Sequence, residues 1–256
     1  METTKSKDGT TIAFQRSGTG PPLVLVVGAF CTRTTTVDLT PLLAPNFTVF
    51  EYDRRGRGDS DDKTPYAVDR EIEDLRAVIT EAGGQTYVYG HSSGAALAVQ
   101  AAAAGVPMTK LVAYEPPYAT TEDDRRSGTA MLASIRQAVT DGRTGDAAIM
   151  HLSGSGMPAN VIDMIKNSPG WADMIAVAHT LPYDWAITTR GVEPDKFARI
   201  TVPTLVLTGG DSSPYLHAGA AATAAAIPDA KLDTIAGQGH VAARDVIAPI
   251  LQSWFS

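Results

Sequence analysis

The sequence contains a single cysteine, Cys31, so the chain cannot form an intrachain disulfide. A disulfide framework and a cysteine-rich metal site are both excluded, and nothing indicates an oxidising compartment. Basic residues are also fewer than acidic ones: the chain has 21 Lys and Arg and 28 Asp and Glu, which gives a net charge of −7. A nucleic-acid-binding surface needs a surplus of Lys and Arg to contact phosphates, so we expect no nucleic-acid partner.

Long hydrophobic runs are absent as well. The longest apolar stretches are far too short to span a bilayer, and the first residues, METTKSKDGT, lack the apolar segment of a signal peptide. We therefore expect no membrane partner and a cytoplasmic location. The chain also has no Gly-Lys-Ser/Thr phosphate loop and no His-Glu-x-x-His pattern, so we expect neither a cofactor nor a bound metal.

The chain has 256 residues, 44% of them hydrophobic, which suits one core domain with an insertion. Short apolar runs alternate with helical patterns, as is typical of an α/β protein with a mostly parallel β-sheet covered by helices on both faces. Residues 119–198 carry helical patterns and no convincing strand. We interpret them as a helical lid inserted into a core of residues 1–118 and 199–256. Strands are predicted at 11–16, 23–27, 47–52, 86–90, 110–114, 204–209 and 231–236, and core helices at 66–82, 94–104, 215–226 and 241–254.

The stretch TYVYGHSSGAAL, residues 86–97, places Ser92 between Gly90 and Gly94 where a predicted strand turns into a predicted helix. Gly-x-Ser-x-Gly in this context is a nucleophile elbow, a strained turn that exposes the serine hydroxyl above the sheet. The glycines let neighbouring backbone pass without Cβ clashes, and the helix N-terminus favours developing negative charge. We therefore expect Ser92 to be a nucleophile.

A serine nucleophile needs a base and an acid that orients the base. His240 follows the last predicted strand in AGQGHVAARD, and Asp211 follows the preceding strand in TGGDSSP. Active sites of parallel sheets gather at these carboxyl ends of strands. The order Ser92, Asp211, His240 matches that of hydrolases with this elbow, so we expect these three residues to form a triad. Glu115 also ends a predicted strand and is the alternative acid.

Taken together, these motifs resemble the α/β-hydrolase fold superfamily, in particular its lidded bacterial serine hydrolases of the esterase and lactonase kind. The similarity extends over essentially the whole chain. The resemblance implies an oxyanion hole made by the backbone N–H groups of Ala29 and Ser93, with Phe30 as the alternative to Ala29. The loop reads Val27-Gly28-Ala29 where the family usually has His-Gly-x, but a backbone donor needs no particular side chain. The supporting segments are PPLVLVVGAF (21–30), EYDRRGRGDS (51–60), PTLVLTGGDSS (203–213) and GQGHVAARD (237–245).

The resemblance further implies that a small-molecule carboxylic ester or lactone is cleaved through an acyl-enzyme. A serine at the elbow separates the chain from the haloalkane dehalogenases and epoxide hydrolases, which have aspartate there. Two alternatives stay open: the same triad used for cofactor-free perhydrolase or haloperoxidase, C–C hydrolase or lyase chemistry, and a small-molecule binding protein with little turnover. Candidate pocket residues are Phe30, His179 and Trp185, while His91 is expected to pack beside the elbow. The sequence leaves the specific substrate and the oligomeric state open.

Overall fold

An eight-stranded sheet forms the centre of the computed structural model, which describes all residues 1–256, and its strand order is β1-β2-β4-β3-β5-β6-β7-β8. β1 and β2 pair antiparallel at one edge, and the pairs from β4 through β3 and β5 to β8 are all parallel. The predicted mostly parallel α/β sheet is therefore confirmed. The strands are β1 (Glu2–Lys5), β2 (Thr11–Ser17), β3 (Pro22–Val26), β4 (Thr48–Tyr52), β5 (Tyr87–His91), β6 (Lys110–Tyr114), β7 (Thr204–Gly209) and β8 (Lys231–Ile235).

Helices bury both faces of the sheet. α2 (Val68–Glu81), α3 (Ser93–Ala103) and α10 (Pro214–Ala226) lie on one face, while α1 (Thr40–Leu43) and α11 (Arg244–Phe255) lie on the other. Alternate residues of each parallel strand point to opposite faces, so both sets must be apolar. In β3, for example, Val24 and Val26 belong to one core cluster and Leu23 and Leu25 to the other.

Between β6 and β7 the chain forms helices and no strand, as predicted for residues 119–198, which we call the helical insertion. Buried Ile135, Ala138 and Leu181 belong to an apolar cluster of its own, against which partly buried Phe30 and Trp185 pack. The assignment of this segment as a separate lid domain stays a prediction. Its elements are α4 (Glu122–Thr140), α5 (Thr144–Gly154), α6 (Ala159–Lys166), α7 (Trp171–Val177), a 3-10 turn (Ala178–Thr180), α8 (Leu181–Thr188) and α9 (Pro194–Phe197).

Each of the seven predicted strands is present with its ends shifted by at most one residue. The sequence pattern missed β1, whose residues ETTK pair only with β2 at the sheet edge. Only Thr4 of this strand is buried, so it lacks the apolar alternation by which a strand is recognised. None of the helices combines the length and the apolar composition that crossing a bilayer requires.

The helix that follows the elbow lies unusually close to the sheet. A Cβ atom added at Gly94, in the first turn of α3, would lie 2.2 Å from the carbonyl oxygen of Val26 and 2.6 Å from that of Val27. Because both atoms belong to the backbone, neither can move aside without shifting the end of β3 or the loop that follows it. The second glycine of the elbow is therefore required by helix-to-strand packing.

We expect Gly94→Ala to destabilise the protein by about 1 to 3 kcal/mol, because the added methyl group overpacks a backbone contact. Urea denaturation followed by circular dichroism measures the change. Gly145→Ala is the matched control, since Gly145 is also helical but its added Cβ would be 3.6 Å from the nearest atom, Cδ1 of Ile175. An unchanged midpoint in Gly94→Ala would contradict the packing argument.

Candidate active site

Ser92 lies in the sharp turn between β5 and α3, with φ 57° and ψ −129°. Such a conformation is uncommon for a residue with a side chain and usually persists where the surroundings impose it. Here the Ser92 N–H donates to the carbonyl of Tyr114 at 2.9 Å, which continues the pairing of β5 with β6 beyond the strand end. The turn thus holds the hydroxyl at the carboxyl edge of the sheet.

His240 lies in the loop between β8 and α11 and contacts Ser92 directly. Its Nε2 atom is 3.1 Å from Oγ of Ser92, and its Nδ1 atom is 2.6 Å from Oε2 of Glu115. The His240 side chain is 38% exposed, so a solute can reach it, whereas Glu115 is fully buried. The structure therefore brings serine, imidazole and carboxylate into one hydrogen-bonded chain.

The carboxylate that is hydrogen-bonded to His240 belongs to Glu115 and not to Asp211. The expectation that Asp211 pairs with His240 is therefore wrong. Asp211 is exposed in the turn after β7, where its N–H donates to the carbonyl of Gln238 at 2.9 Å. Glu115, the alternative acid, follows β6 immediately, and its N–H donates to Leu207 of β7 at 2.9 Å. Because this bond keeps Glu115 in the sheet ladder, its side chain projects beneath His240, while the β7 turn carries Asp211 outward.

The buried carboxylate of Glu115 accepts hydrogen bonds from two further groups besides His240. Its Oε1 accepts from the Gly209 N–H at 2.7 Å and from the Thr208 hydroxyl at 3.0 Å. Burial alone raises the pKa of Glu115, but the hydrogen bonds from His240 and from the Gly209 backbone outweigh it and lower the pKa to about 2. The group is thus an anion at neutral pH and an acceptor for Nδ1–H of the imidazole.

Two side chains from neighbouring strands fix the loop that carries His240. Nε2 of His91 lies 2.7 Å from the carbonyl oxygen of His240, and the hydroxyl of Tyr114 donates to the carbonyl of Gly239. Burial lowers the pKa of His91 to about 3, so its ring is neutral and Nε2–H is the donor. His91 therefore positions the backbone of His240, in line with its expected packing beside the elbow.

The loop after β3 borders Ser92. A Cβ atom added at Gly28 would lie 2.9 Å from Cβ of Ser92, so only glycine allows this approach. The N–H groups of Ala29, Phe30 and Ser93 have no acceptor within the protein, and Phe30 has a positive φ of 60°. They are unpaired donors in the two segments next to Ser92, the kind of donor from which an oxyanion hole is built. Both Ala29 and Phe30 stay candidates for the loop donor.

A family model described as the alpha/beta hydrolase family matches residues 23–249. The chain belongs to the alpha/beta hydrolase family. The hydrolase is 45% identical to a solved alpha/beta hydrolase from Sphaerobacter thermophilus DSM 20745 over 100% of both chains, with a TM-score of 0.91. No match was found among curated proteins.

Two more distant solved structures show the same fold. A hydrolase from Pseudomonas aeruginosa PA01 is 22% identical over 99% of this chain and 96% of its own, with a TM-score of 0.79. A thermophilic esterase from Thermogutta terrifontis is 21% identical over 99% of this chain and 97% of its own, with a TM-score of 0.75. At these identities the likeness extends to the fold alone.

Beneath the β3 loop of this hydrolase lies a cluster of buried charges that joins the core to the helical insertion. Asp184 of α8 accepts from Arg54 at 2.7 Å through Oδ1 and from Arg57 at 2.7 Å through Oδ2. Arg54 also forms a two-point ion pair with Glu71, at 2.8 and 2.9 Å. The cluster therefore balances two cations with two anions. Burial alone raises the pKa of Asp184, but Arg57 and Arg54 outweigh it and hold the pKa well below its usual range.

This buried-charge cluster also contacts the two segments that carry the unpaired N–H groups, the β3 loop and the start of α3. Arg57 Nη1 donates to the carbonyl of Gly28 at 2.6 Å, and Arg54 Nη1 donates to that of Val27 at 3.3 Å. The Ser93 hydroxyl donates to Asp184 at 2.6 Å. The loop that lacks the family's usual histidine is thus held through its carbonyl oxygens by guanidinium groups.

The three candidate pocket residues have different surroundings. Phe30 and Trp185 both pack against the apolar cluster of the helical insertion. His179 lies half-buried in the 3-10 turn, where its imidazole makes no hydrogen bond. His151 of α5, which the sequence analysis did not single out, contacts both aromatic residues. No set of three or more His, Cys, Asp or Glu side chains is arranged to bind a metal ion.

Sequence reasoning also missed the roles of Arg54, Arg57 and Asp184. Arg54 and Arg57 enter the sequence analysis only within the segment EYDRRGRGDS, although charged residues that directly follow a buried strand are a signal of burial at the sheet edge. Asp184 carries no signal of its own, because its partners are 130 and 127 residues away. Only the fold identifies such a contact.

We expect Asp184→Asn to destabilise the hydrolase by about 3 to 5 kcal/mol, because it removes the carboxylate that pairs with the buried guanidinium groups of Arg54 and Arg57. Guanidinium denaturation measured by circular dichroism tests this. Asp123→Asn is the control, since Asp123 pairs with Arg126 on the surface, where the two side chains are 82% and 67% exposed. Equal effects of the two substitutions would refute the structural importance of the buried-charge cluster.

Proposed function

We propose that the protein hydrolyses a carboxylic ester or lactone through an acyl-enzyme, with Ser92 as nucleophile, His240 as base and Glu115 as orienting acid. The observation that carries the proposal is the hydrogen-bonded chain in which His240 lies 3.1 Å from Ser92 and 2.6 Å from Glu115. A serine hydroxyl is weakly nucleophilic at neutral pH, and an adjacent imidazole activates it. The free N–H groups beside the hydroxyl supply the second requirement of acyl transfer.

In the proposed reaction, Oγ of Ser92 attacks the substrate carbonyl while Nε2 of His240 accepts its proton. The N–H of Ser93, together with that of Ala29 or Phe30, stabilises the oxyanion. The tetrahedral intermediate collapses as His240 returns the proton to the leaving oxygen, which leaves an ester on Ser92. Water, deprotonated by His240, then releases the acid. Glu115 keeps the proton on Nδ1 and stabilises the imidazolium.

We further propose that the helical insertion, residues 119–198, is a lid that forms part of the acyl pocket. Two contacts support this role. Phe30, one of the two candidate loop donors, packs against the apolar cluster of the insertion. Asp184 of α8 pairs with Arg54 and Arg57, whose guanidinium groups donate to the Val27 and Gly28 carbonyls of the same loop. An apolar wall beside the nucleophile favours substrates with a hydrocarbon acyl group.

We expect Ser92→Ala to lower kcat on a p-nitrophenyl ester by about 10⁴- to 10⁶-fold, as deletion of a triad nucleophile does. Ser127→Ala, an exposed serine on α4, is the matched control and should behave as wild type. Circular dichroism shows whether both variants are folded. A Ser92→Ala variant with more than about a tenth of wild-type kcat would remove Ser92 from the mechanism.

A fluorophosphonate probe followed by intact-mass analysis separates hydrolysis from binding alone. Covalent labelling of wild type but not of Ser92→Ala supports an activated serine. A protein that is neither labelled by the probe nor active on esters or lactones would be incompatible with the proposed function.

The assignment of the acid predicts opposite results for two amide substitutions. Glu115→Gln should lower kcat by about 10⁴-fold, because an amide no longer enforces the Nδ1–H tautomer, as in serine proteases. Asp211→Asn is the matched control and should change kcat by less than about twofold, since Asp211 is exposed and does not contact His240. Steady-state kinetics on one ester measures both. The reverse result would assign the acid to Asp211.

A further inference from the structure

His151 of α5 is a second imidazole beside the proposed active site, and the mechanism above leaves it unused. Its ring packs edge-on against Phe30, with 5.0 Å between ring centroids, and edge-on against Trp185 at 6.0 Å. The indole nitrogen of Trp185 lies 3.0 Å from Nδ1 of His151. The imidazole is therefore clamped between an aromatic residue of the β3 loop and one of α8.

This hydrogen bond determines the tautomer of His151. An indole N–H can only donate, so Nδ1 must accept and cannot carry a proton. Burial lowers the pKa of His151 to about 4, with an opposing contribution from the nearby Asp184 carboxylate. The ring is thus neutral at physiological pH, and its single proton is on Nε2.

The Nε2–H donor has no partner within the protein. The only hydrogen bond of the imidazole is the one at Nδ1, and Nε2 is not sealed from solvent. The donor therefore faces accessible space. Phe30, from the loop that borders Ser92, packs edge-on against the same ring, so the imidazole lies next to that loop.

The orientation of the ester in the active site follows from the proposed chemistry. The leaving oxygen must lie against His240, which returns a proton to it, and the carbonyl oxygen must lie against the free N–H groups. In the proposed binding mode, the acyl chain then extends past Phe30 toward the helical insertion, whose apolar cluster Phe30 contacts. His151 is positioned to meet that chain.

We propose that Nε2–H of His151 donates a hydrogen bond to an oxygen atom in the acyl chain of the substrate, so that the protein prefers oxygen-bearing acyl groups to all-carbon ones. This inference rests on the proposed ester hydrolysis and specifies its substrate class. Trp185 is a positioning residue that acts through His151, because its indole keeps the imidazole proton on the side that faces the substrate.

The test compares p-nitrophenyl hexanoate with isosteric esters in which one methylene beyond the α carbon is replaced by an ether oxygen. The measured quantity is the ratio of kcat/KM for each ether ester to that for hexanoate. We expect His151→Phe to lower this ratio by about tenfold at one oxygen position, the loss typical of one hydrogen bond. His151→Gln should restore part of the ratio, because its amide nitrogen can occupy the place of Nε2. Equal ratios in wild type and His151→Phe at every oxygen position would overturn the proposal.

The role of Trp185 has its own matched pair of variants. Trp185→Phe keeps an aromatic ring but loses the N–H donor, and it should lower the ether preference. Trp171→Phe, which packs against the same apolar cluster, removes an indole that makes no hydrogen bond to His151 and should leave the preference at the wild-type value. Nitrogen-15 NMR of the imidazole should show a protonated Nε2 in wild type and a mixture of tautomers in Trp185→Phe. A protonated Nδ1 in wild type would overturn the proposal.

Failure of this inference is distinguishable from failure of the proposed function. Labelling of Ser92 by fluorophosphonate and turnover of hexanoate, without an ether preference that depends on His151, refute only the inference. A protein that neither labels at Ser92 nor cleaves any of the esters refutes the proposed hydrolysis and the inference together.

Discussion

The carboxylate of Asp184, buried between two guanidinium groups, connects three parts of the molecule. It pairs with Arg54 and Arg57, which follow β4, and it accepts the hydroxyl of Ser93 at the start of α3. The same two arginines hold the carbonyl oxygens of Val27 and Gly28 in the β3 loop. Because buried charges are costly unless every partner is in place, the helical insertion, the loop and the elbow depend on one another.

The site itself is built where parallel strands end together. Ser92 and Glu115 directly follow β5 and β6, and each continues the sheet ladder by one hydrogen bond. Both residues, and Phe30 in the facing loop, have positive φ, as only one other non-glycine residue in the chain does. Strained backbone is tolerated where the surrounding structure determines it, and here the neighbouring strands and the buried-charge cluster supply that support.

Much of this arrangement was predictable because it depends on local patterns. Runs of apolar residues identified β3 through β8, and the glycines around Ser92 identified the strand-to-helix turn. His240 was recognised because it follows the last strand in a glycine-containing loop. β1 was missed because a polar edge strand has no such pattern, and His151 because a single histidine on a helix carries no signal of its surroundings.

The choice between Asp211 and Glu115 shows where sequence reasoning stops. Both carboxylates follow a strand that ends at the same edge, and chain order favours Asp211. In the fold, Glu115 stays in the ladder between β5 and β7 and is buried under His240, whereas the turn after β7 exposes Asp211. The sequence by itself determined the fold class, the elbow serine and the histidine, because these depend on neighbours in the chain. Only the tertiary structure decided which carboxylate lies against His240, which guanidinium groups lie beneath the loop and which imidazole lies beside Phe30, because these contacts join residues far apart in sequence.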